Sequence, residues 1–256
     1  SKSNKRYQAT RGVMQNDRVW LVTGASRGIG LAIARRIVAS GDRVALLARG
    51  DTVHSLAREL GDNCLACRAD VSQVEEVTAA IASIMSHWGR LDVVVNNAGT
   101  HRGGKLARLA SEDWQSVLDT NLTGAMTVCK AASEHLGEGG AIVNIGAVVG
   151  FRGFPGDSAY AASKAGLAGL TRALSIELAR RGITVNLVIP GLVLTEMTGG
   201  LSEKALESMR AKIPMGRYGE PDEIAEVVQW VARSRYMTGA FVPADGGLMS
   251  SFGIAG

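Results

Sequence analysis

Short apolar runs alternate with stretches of helical periodicity along nearly the whole chain. Val19-Trp20-Leu21-Val22-Thr23 is the first such run, and Arg43 to Ala48, Cys64 to Arg68, Leu91 to Asn96, Ala141 to Ile145, Thr184 to Ile189 and Ala240 to Pro243 are further strand candidates. Runs of this length with few polar interruptions read as strands buried on both faces. Between them lie amphipathic stretches, and alternating β and α predicts a parallel sheet covered by helices on both sides. The expectation is therefore an α/β, doubly wound single domain with its ligand at the carboxyl ends of the strands.

The chain has 256 residues, 46% hydrophobic and 20% charged, which suits one domain with an ample core. Residues 1–16 carry Lys2, Lys5, Arg6 and Arg11 with little apolar content and read as a flexible tail ahead of a domain over 17–256. Two alternatives narrow further. The net charge of +4 is spread along the chain, so nucleic acid is not an expected partner. No apolar run approaches the roughly 18 residues of a membrane span, so the protein is expected to be soluble and cytoplasmic. Cys64-Leu65-Ala66-Cys67 has redox-motif spacing but falls in a strand candidate, and neither a disulfide framework nor a metal site is expected from three cysteines. His54, His87, His101 and His135 share no spacing, and His101, near the mouth of the cleft, reads as an exposed loop residue, bordering the substrate being the alternative.

Candidate chemistry centres on Ser158-Ala159-Tyr160-Ala161-Ala162-Ser163-Lys164. On a helix, residues four apart stack on one face. A phenol, ordinarily titrating near 10, beside an ammonium reads as a proton donor whose affinity the cation lowers. The same spacing also suits a half-buried tyrosine and a solvated lysine. Upstream, Val19 to Thr23 leads straight into Gly24-Ala25-Ser26-Arg27-Gly28-Ile29-Gly30 and a helical stretch. Glycines at a strand-to-helix turn let backbone approach a pyrophosphate at the helix N-terminus. The spacing is G-x-x-x-G-x-G.

With Asn96-Asn97-Ala98-Gly99, Asn121 and Tyr160-x-x-x-Lys164, this glycine turn resembles the short-chain dehydrogenase/reductase family from about Val19 to Gly247. Ile145 to Gly150, Arg181 to Asn186, Gly216 to Pro221 and Val242 to Gly247 are most similar to the bacterial 3-oxoacyl-(acyl-carrier-protein) reductases within it. The resemblance implies a Rossmann-type fold and an NADP(H)- or NAD(H)-dependent reductase. It implies cofactor contacts at Gly24, Ser26, Arg27, Gly28, Ile29 and Gly30. Asp70 and Val71 would lie by the adenine, Asn97, Ala98 and Gly99 beside the fourth strand, and Pro190, Gly191, Val193 and Thr195 near the nicotinamide. Asn97 and Asp70 suit ordinary turns equally well. Ala48 stands where NAD enzymes of the family carry Asp, and Arg49 follows it. With Arg27, Arg49 suits a ribose 2′-phosphate, so NADP(H) is the expected cofactor. In the family Asn121 holds a water that links the lysine to solvent; on sequence alone it is equally an Asn at a bend within a long helix. Residues 191–219, with paired glycines, Met197, Met209 and Met215, read as a movable lid around a short helix near Ser202 to Ala211.

One position departs from the pattern. Thirteen residues before Tyr160, where the family places its catalytic serine, stands Ala147. Three readings are open: a substitution introduced to trap a complex, a natural alanine with Ser158 or a backbone group in its place, or lost catalysis with retained NADP(H) binding. The expected activity is hydride transfer to a ketone, most like a 3-oxoacyl thioester, weakened by Ala147; another small ketone or alcohol, or a non-catalytic NADP(H)-binding subunit or sensor, are the alternatives. Arg180 and Arg181 match a docking site for an acidic acyl carrier protein, whereas Glu134 to Glu138 occupy a stretch that is often basic in such reductases. Family members assemble as homotetramers through the helices that carry Asn121 and Tyr160, and the same is expected here.

Overall fold

A computed structural model of the protein describes residues 17–194 and 202–251. Seven parallel strands form one sheet in the order β3-β2-β1-β4-β5-β6-β7. These are β1 (Val19–Thr23), β2 (Arg43–Ala48), β3 (Cys64–Arg68), β4 (Leu91–Asn96), β5 (Leu136–Ile145), β6 (Thr184–Pro190) and β7 (Phe241–Ala244). The strand order reverses at β1, which pairs with both β2 and β4, and a crevice opens there beyond the carboxyl ends.

Alternation along β1 shows how one apolar run serves two cores. Trp20 and Val22 join one buried cluster with Ile33 and Ile37 of α1 (Gly28–Ala39), Val53 of α2 (Thr52–Leu60) and Ile224 and Val228 of α8 (Pro221–Arg233). Val19 and Leu21 join the other, with Val77 and Ile81 of α3 (Val74–Trp88), Val128 of α5 (Gly124–Ser133) and Leu178 of α6 (Ser158–Ala179). Successive strand residues point to opposite faces, so a strand covered on both sides must be apolar throughout. The doubly wound expectation holds. The same geometry separates Cys64 from Cys67, three apart on β3: Cys64 packs against the first cluster and Cys67 lies within the second.

Two element expectations are corrected. β5 starts at Leu136, five residues before the apolar run, because Leu91 pairs with Leu136 before an irregularity brings Val93 opposite Ala141. The long helix expected around Asn121 is α4 (Ser111–Leu118), a π turn over Asp119–Thr123, and then α5. Among the described residues no helix is long and apolar enough to cross a membrane. Within the expected lid, α7 (Glu203–Arg210) is pinned by the Tyr218 hydroxyl, which donates to Leu206 O at 2.7 Å.

Candidate active site

The glycine turn is shaped by close packing. Gly24 and Gly28 have φ of +64° and +53°, a region that L side chains rarely adopt. A Cβ on Gly30 would lie 2.2 Å from Gly24 O and 2.5 Å from Asn97 Nδ2, so only glycine lets α1 start this close to β1. The first turn of α1 carries no acidic residue and Arg27, its N-cap, provides no side-chain cap, which leaves the helix N-terminus suited to an anion. Ser26 and Ile29 are half-buried in this turn, and Ile29 packs on the first core cluster.

Asn97 buttresses the turn from behind. Its side-chain amide donates to Thr23 O and Gly24 O, each at 3.1 Å, and the backbone amides of Asn97 and Ala98 donate to Thr23 Oγ1. The Asn97 side chain is thus committed to the fold, and what Ala98 and Gly99 present to the crevice is backbone. Gly99 lies where a Cβ would come 3.5 Å from Asn121 Oδ1 and 3.7 Å from Lys164 Nζ.

That approach joins the glycine turn to the second group of residues. Lys164 is buried on α6, its Nζ donating to Ile145 O at 2.8 Å at the end of β5 and lying 5.6 Å from the centre of the Tyr160 ring. Burial lowers the Lys164 ammonium to about 8. The phenol departs from the sequence expectation. Burial, and then the Asp157 carboxylate, push Tyr160 up to about 12, because both disfavour the charged phenolate. The protein alone keeps Tyr160 protonated.

Asn121 is buried within the π turn, a feature often found at functional sites. Its Oδ1 accepts from Thr100 N at 2.8 Å, and its Nδ2 donates to Thr100 O and to Ser163 Oγ, both at 3.0 Å. Ser163 Oγ in turn donates to Tyr160 O at 2.7 Å. Ser163 is therefore a structural link between Asn121 and the Tyr160 turn, and its place in the Tyr-Lys stretch was its only sequence signal. Both hydrogens of Nδ2 are thus committed to protein partners, and Oδ1 already accepts one hydrogen bond.

Ala147 follows β5 and is the N-cap of a 3₁₀ turn over Val148–Gly150, half-buried and extended. The turn is wedged against α6: a Cβ at Gly150 would lie 2.9 Å from Ala165 N. Ser158, a candidate substitute for the missing hydroxyl, is exposed in the first turn of α6. Positions two apart on a helix do not share a face, so Ser158 does not stand beside the Tyr160 hydroxyl. His101 lies in an exposed loop, as expected, and there meets the Tyr160 ring edge to face, with centroids 5.2 Å apart.

A separate pocket lies beyond β2 and β3, lined by Arg49, Arg68, Asp70 and Glu76. Arg49 is largely exposed, 3.9 Å from Asp70, and Arg68 Nε donates to Arg49 O at 3.2 Å. Sequence reading found Arg49 and Asp70 but not Arg68, whose side chain crosses from the neighbouring strand. Val71 is buried, and a Cβ at Gly124 would strike its side chain at 2.6 Å, so Val71 seats the start of α5. Pro190 and Gly191 close β6, with Gly191 N donating to Ala244 O and its Cα too near Asp245 for any side chain. Val193 is buried and bridges Gly219, a packing role. Thr195 and Met197 lie outside the described residues.

Comparison with known proteins agrees with this fold. The family described as enoyl-(acyl carrier protein) reductase matches residues 24–249. Carbonyl reductase family member 4 of Danio rerio is 48% identical over 234 residues, covering 90% of this chain and 98% of that relative. The 3-oxoacyl-[acyl-carrier-protein] reductase of Homo sapiens is 43% identical over 235 residues, covering 91% and 98%. Among solved structures, a blue fluorescent protein from a metagenomic library, in complex with NADPH, superposes with a TM-score of 0.87 at 36% identity, covering 91% of this chain and 99% of that one.

Proposed function

The chain belongs to the short-chain dehydrogenase/reductase family, and we propose that within it the protein is an NADP(H)-dependent reductase of ketones, most suited to 3-oxoacyl thioesters. The observation that carries this reading is Lys164: a buried ammonium tied to Ile145 O and lying over the Tyr160 ring, beside a glycine cradle that excludes side chains.

The residues present fit the cofactor. The close-packed glycine turn and the uncapped start of α1 suit its pyrophosphate, and Arg49 and Arg68 suit a 2′-phosphate better than a bare ribose. When bound, NADPH supplies the hydride. Tyr160 holds the proton that the ketone oxygen takes up as negative charge develops on it, and its raised titration keeps that proton in place until then. Lys164 steadies the phenolate left behind, and the π turn at Asn121 offers backbone groups for a water that returns the proton. Preference for a thioester, and an acyl carrier protein as partner, are supported by the names of the relatives. Arg180 is exposed for such docking, but Arg181 donates to Ser133 O and Leu136 O and so holds the end of α5. Assembly as a homotetramer is supported by Ile176, 79% exposed on α6, and Met126, exposed on α5; a monomer in light scattering contradicts it.

One observation favours a second reading, a chain that binds NADP(H) without turnover: the methyl of Ala147 donates nothing. The test follows NADPH absorbance with an acetoacetyl thioester for the parent, Ala147→Ser and Tyr160→Phe proteins. A reductase turns over in the parent, at least as fast in the Ser form, and in neither once Tyr160 is Phe. Tight NADPH binding with no turnover in any form supports the binding-only reading.

A further inference from the structure

Outside the Tyr160–Lys164 turn, a second polar pair lies against the phenol. His101, in the loop after β4, has Nε2 2.8 Å from Asp157 Oδ1, just before α6, 56 positions away in sequence. The two loops are joined by Gly104 N donating to Gly156 O at 2.8 Å. The imidazole thus has a fixed seat, between a carboxylate and the Tyr160 ring.

A carboxylate only accepts, so Nε2 carries a hydrogen and Nδ1 is the nitrogen left for a ligand. Among the described residues Nδ1 has no protein partner, and the His101 side chain is 38% accessible. Protonation of the ring turns Nδ1 from acceptor to donor while Nε2 stays on Asp157 Oδ1. The other charged groups nearby are Lys164, beyond the Tyr160 ring, and Arg102, which pairs with Asp113 at 3.2 Å.

We propose, resting on the reductase reading, that His101 is a further catalytic residue: held by Asp157, it donates from Nδ1 the hydrogen bond to the ketone oxygen that Ala147 cannot give. His101 keeps its proton throughout. The proton that ends on the substrate oxygen is the one from Tyr160, so no further acid or reductant is needed. Asp157 is a positioning residue, fixing which nitrogen faces outward.

The experiment compares kcat and KM across pH for the parent, His101→Phe, Ala147→Ser, the double variant and Asp157→Asn. Phe keeps a ring against Tyr160 and removes the donor. Loss of one such donor typically costs about 100-fold or more in turnover. His101→Phe should therefore lose roughly 100-fold in kcat with KM nearly unchanged, whereas the same change in the Ala147→Ser background should lose less than about 5-fold. For the same reason, Ala147→Ser alone should gain under roughly 10-fold over the parent. Parent kcat should decline at high pH, where the imidazole gives up its second hydrogen, and His101→Phe should lack that decline; Asp157→Asn, which loosens the ring's seat, should lower kcat in the same direction as His101→Phe. Thermal melting and NADPH binding of His101→Phe should match the parent, separating chemistry from folding. Equal losses in the two backgrounds, no loss at all, or a parent at background beside an active Ala147→Ser protein would each overturn the assignment and leave the reductase reading intact. No turnover by any form removes both.

Discussion

Lys164 offers a direct test of the site's electrostatics that needs no substrate. Its ammonium is buried, with Ile145 O as its hydrogen-bond partner, and titrates at about 8 instead of its ordinary 10.5. The folded state therefore gives up a proton that the unfolded chain keeps between these values. In that window the unfolded state binds more protons, so the Lys164 contribution to stability rises with pH. From pH 7 to 9 the gain works out at about 1.3 kcal/mol, and over the whole shift at about 3 kcal/mol. Three thiols act in the opposite sense: burial pushes Cys64 and Cys67 up to about 11 and Cys129 up to about 12, so folding holds protons that the unfolded chain releases near 9. The parent profile alone is thus nearly level.

Substituting Lys164→Met isolates the lysine, because Met has similar reach, no charge and adaptable packing. Urea unfolding of both proteins at a series of pH values, at one protein concentration, gives the difference in stability at each. That difference should favour Met most at pH 7 and shrink by about 1.3 kcal/mol by pH 9. Parallel profiles for the two proteins would show that Lys164 is not desolvated as its surroundings indicate, and the argument that the protein alone cannot lower the Tyr160 phenol would fall with it.

Gly30→Ala places a methyl 2.2 Å from Gly24 O, so it should cost about 1–3 kcal/mol in thermal stability and weaken NADPH binding at least tenfold, read by fluorescence titration. Arg49→Ala with Arg68→Ala should weaken NADPH binding by about tenfold or more while leaving NADH nearly unchanged; equal losses for both would remove the 2′-phosphate assignment. Asp42 is fully buried and accepts from Trp20 Nε1, Arg233 and the backbone amides of Asp17 and Arg18. Asp42→Ala should cost about 3–5 kcal/mol in urea unfolding by leaving those donors unpaired.

The fold was legible because burial on both faces forces strands to be apolar throughout, and that shows in one pass along the chain. The glycine turn was legible for a similar reason. Its close approach to Asn97 admits no side chain, so the requirement is written as residue type at fixed spacing. The start of β5 was not, because Gly137 to Gly140 fall in the irregularity between the Leu91–Leu136 and Val93–Ala141 pairs and carry no apolar signal. The π turn was also hidden: it adds a residue to one helical turn without changing the apolar period of α4 or α5 enough to show. Likewise, no periodicity records that the Asn121 side chain is tied to Thr100 and Ser163.

What spacing cannot show is a contact between elements, and here that limit falls on the chemistry. Tyr160 and Lys164 share one helix, so their relation could be read at four residues' separation. His101 and Asp157 meet only because the loops after β4 and before α6 both lie at the carboxyl edge of the sheet. Loop residues near a parallel sheet's switch point are therefore poor candidates for dismissal on exposure alone, since the topology gathers them whatever their sequence distance. The absent hydroxyl at Ala147 sharpens the point. A single-residue gap in a motif argues for impaired chemistry only if the motif's own neighbours are its whole environment. The structure brings an imidazole whose Nδ1 has no partner among the described residues to the same phenol, so the gap marks a place to look for a donor from another element before concluding that one is missing.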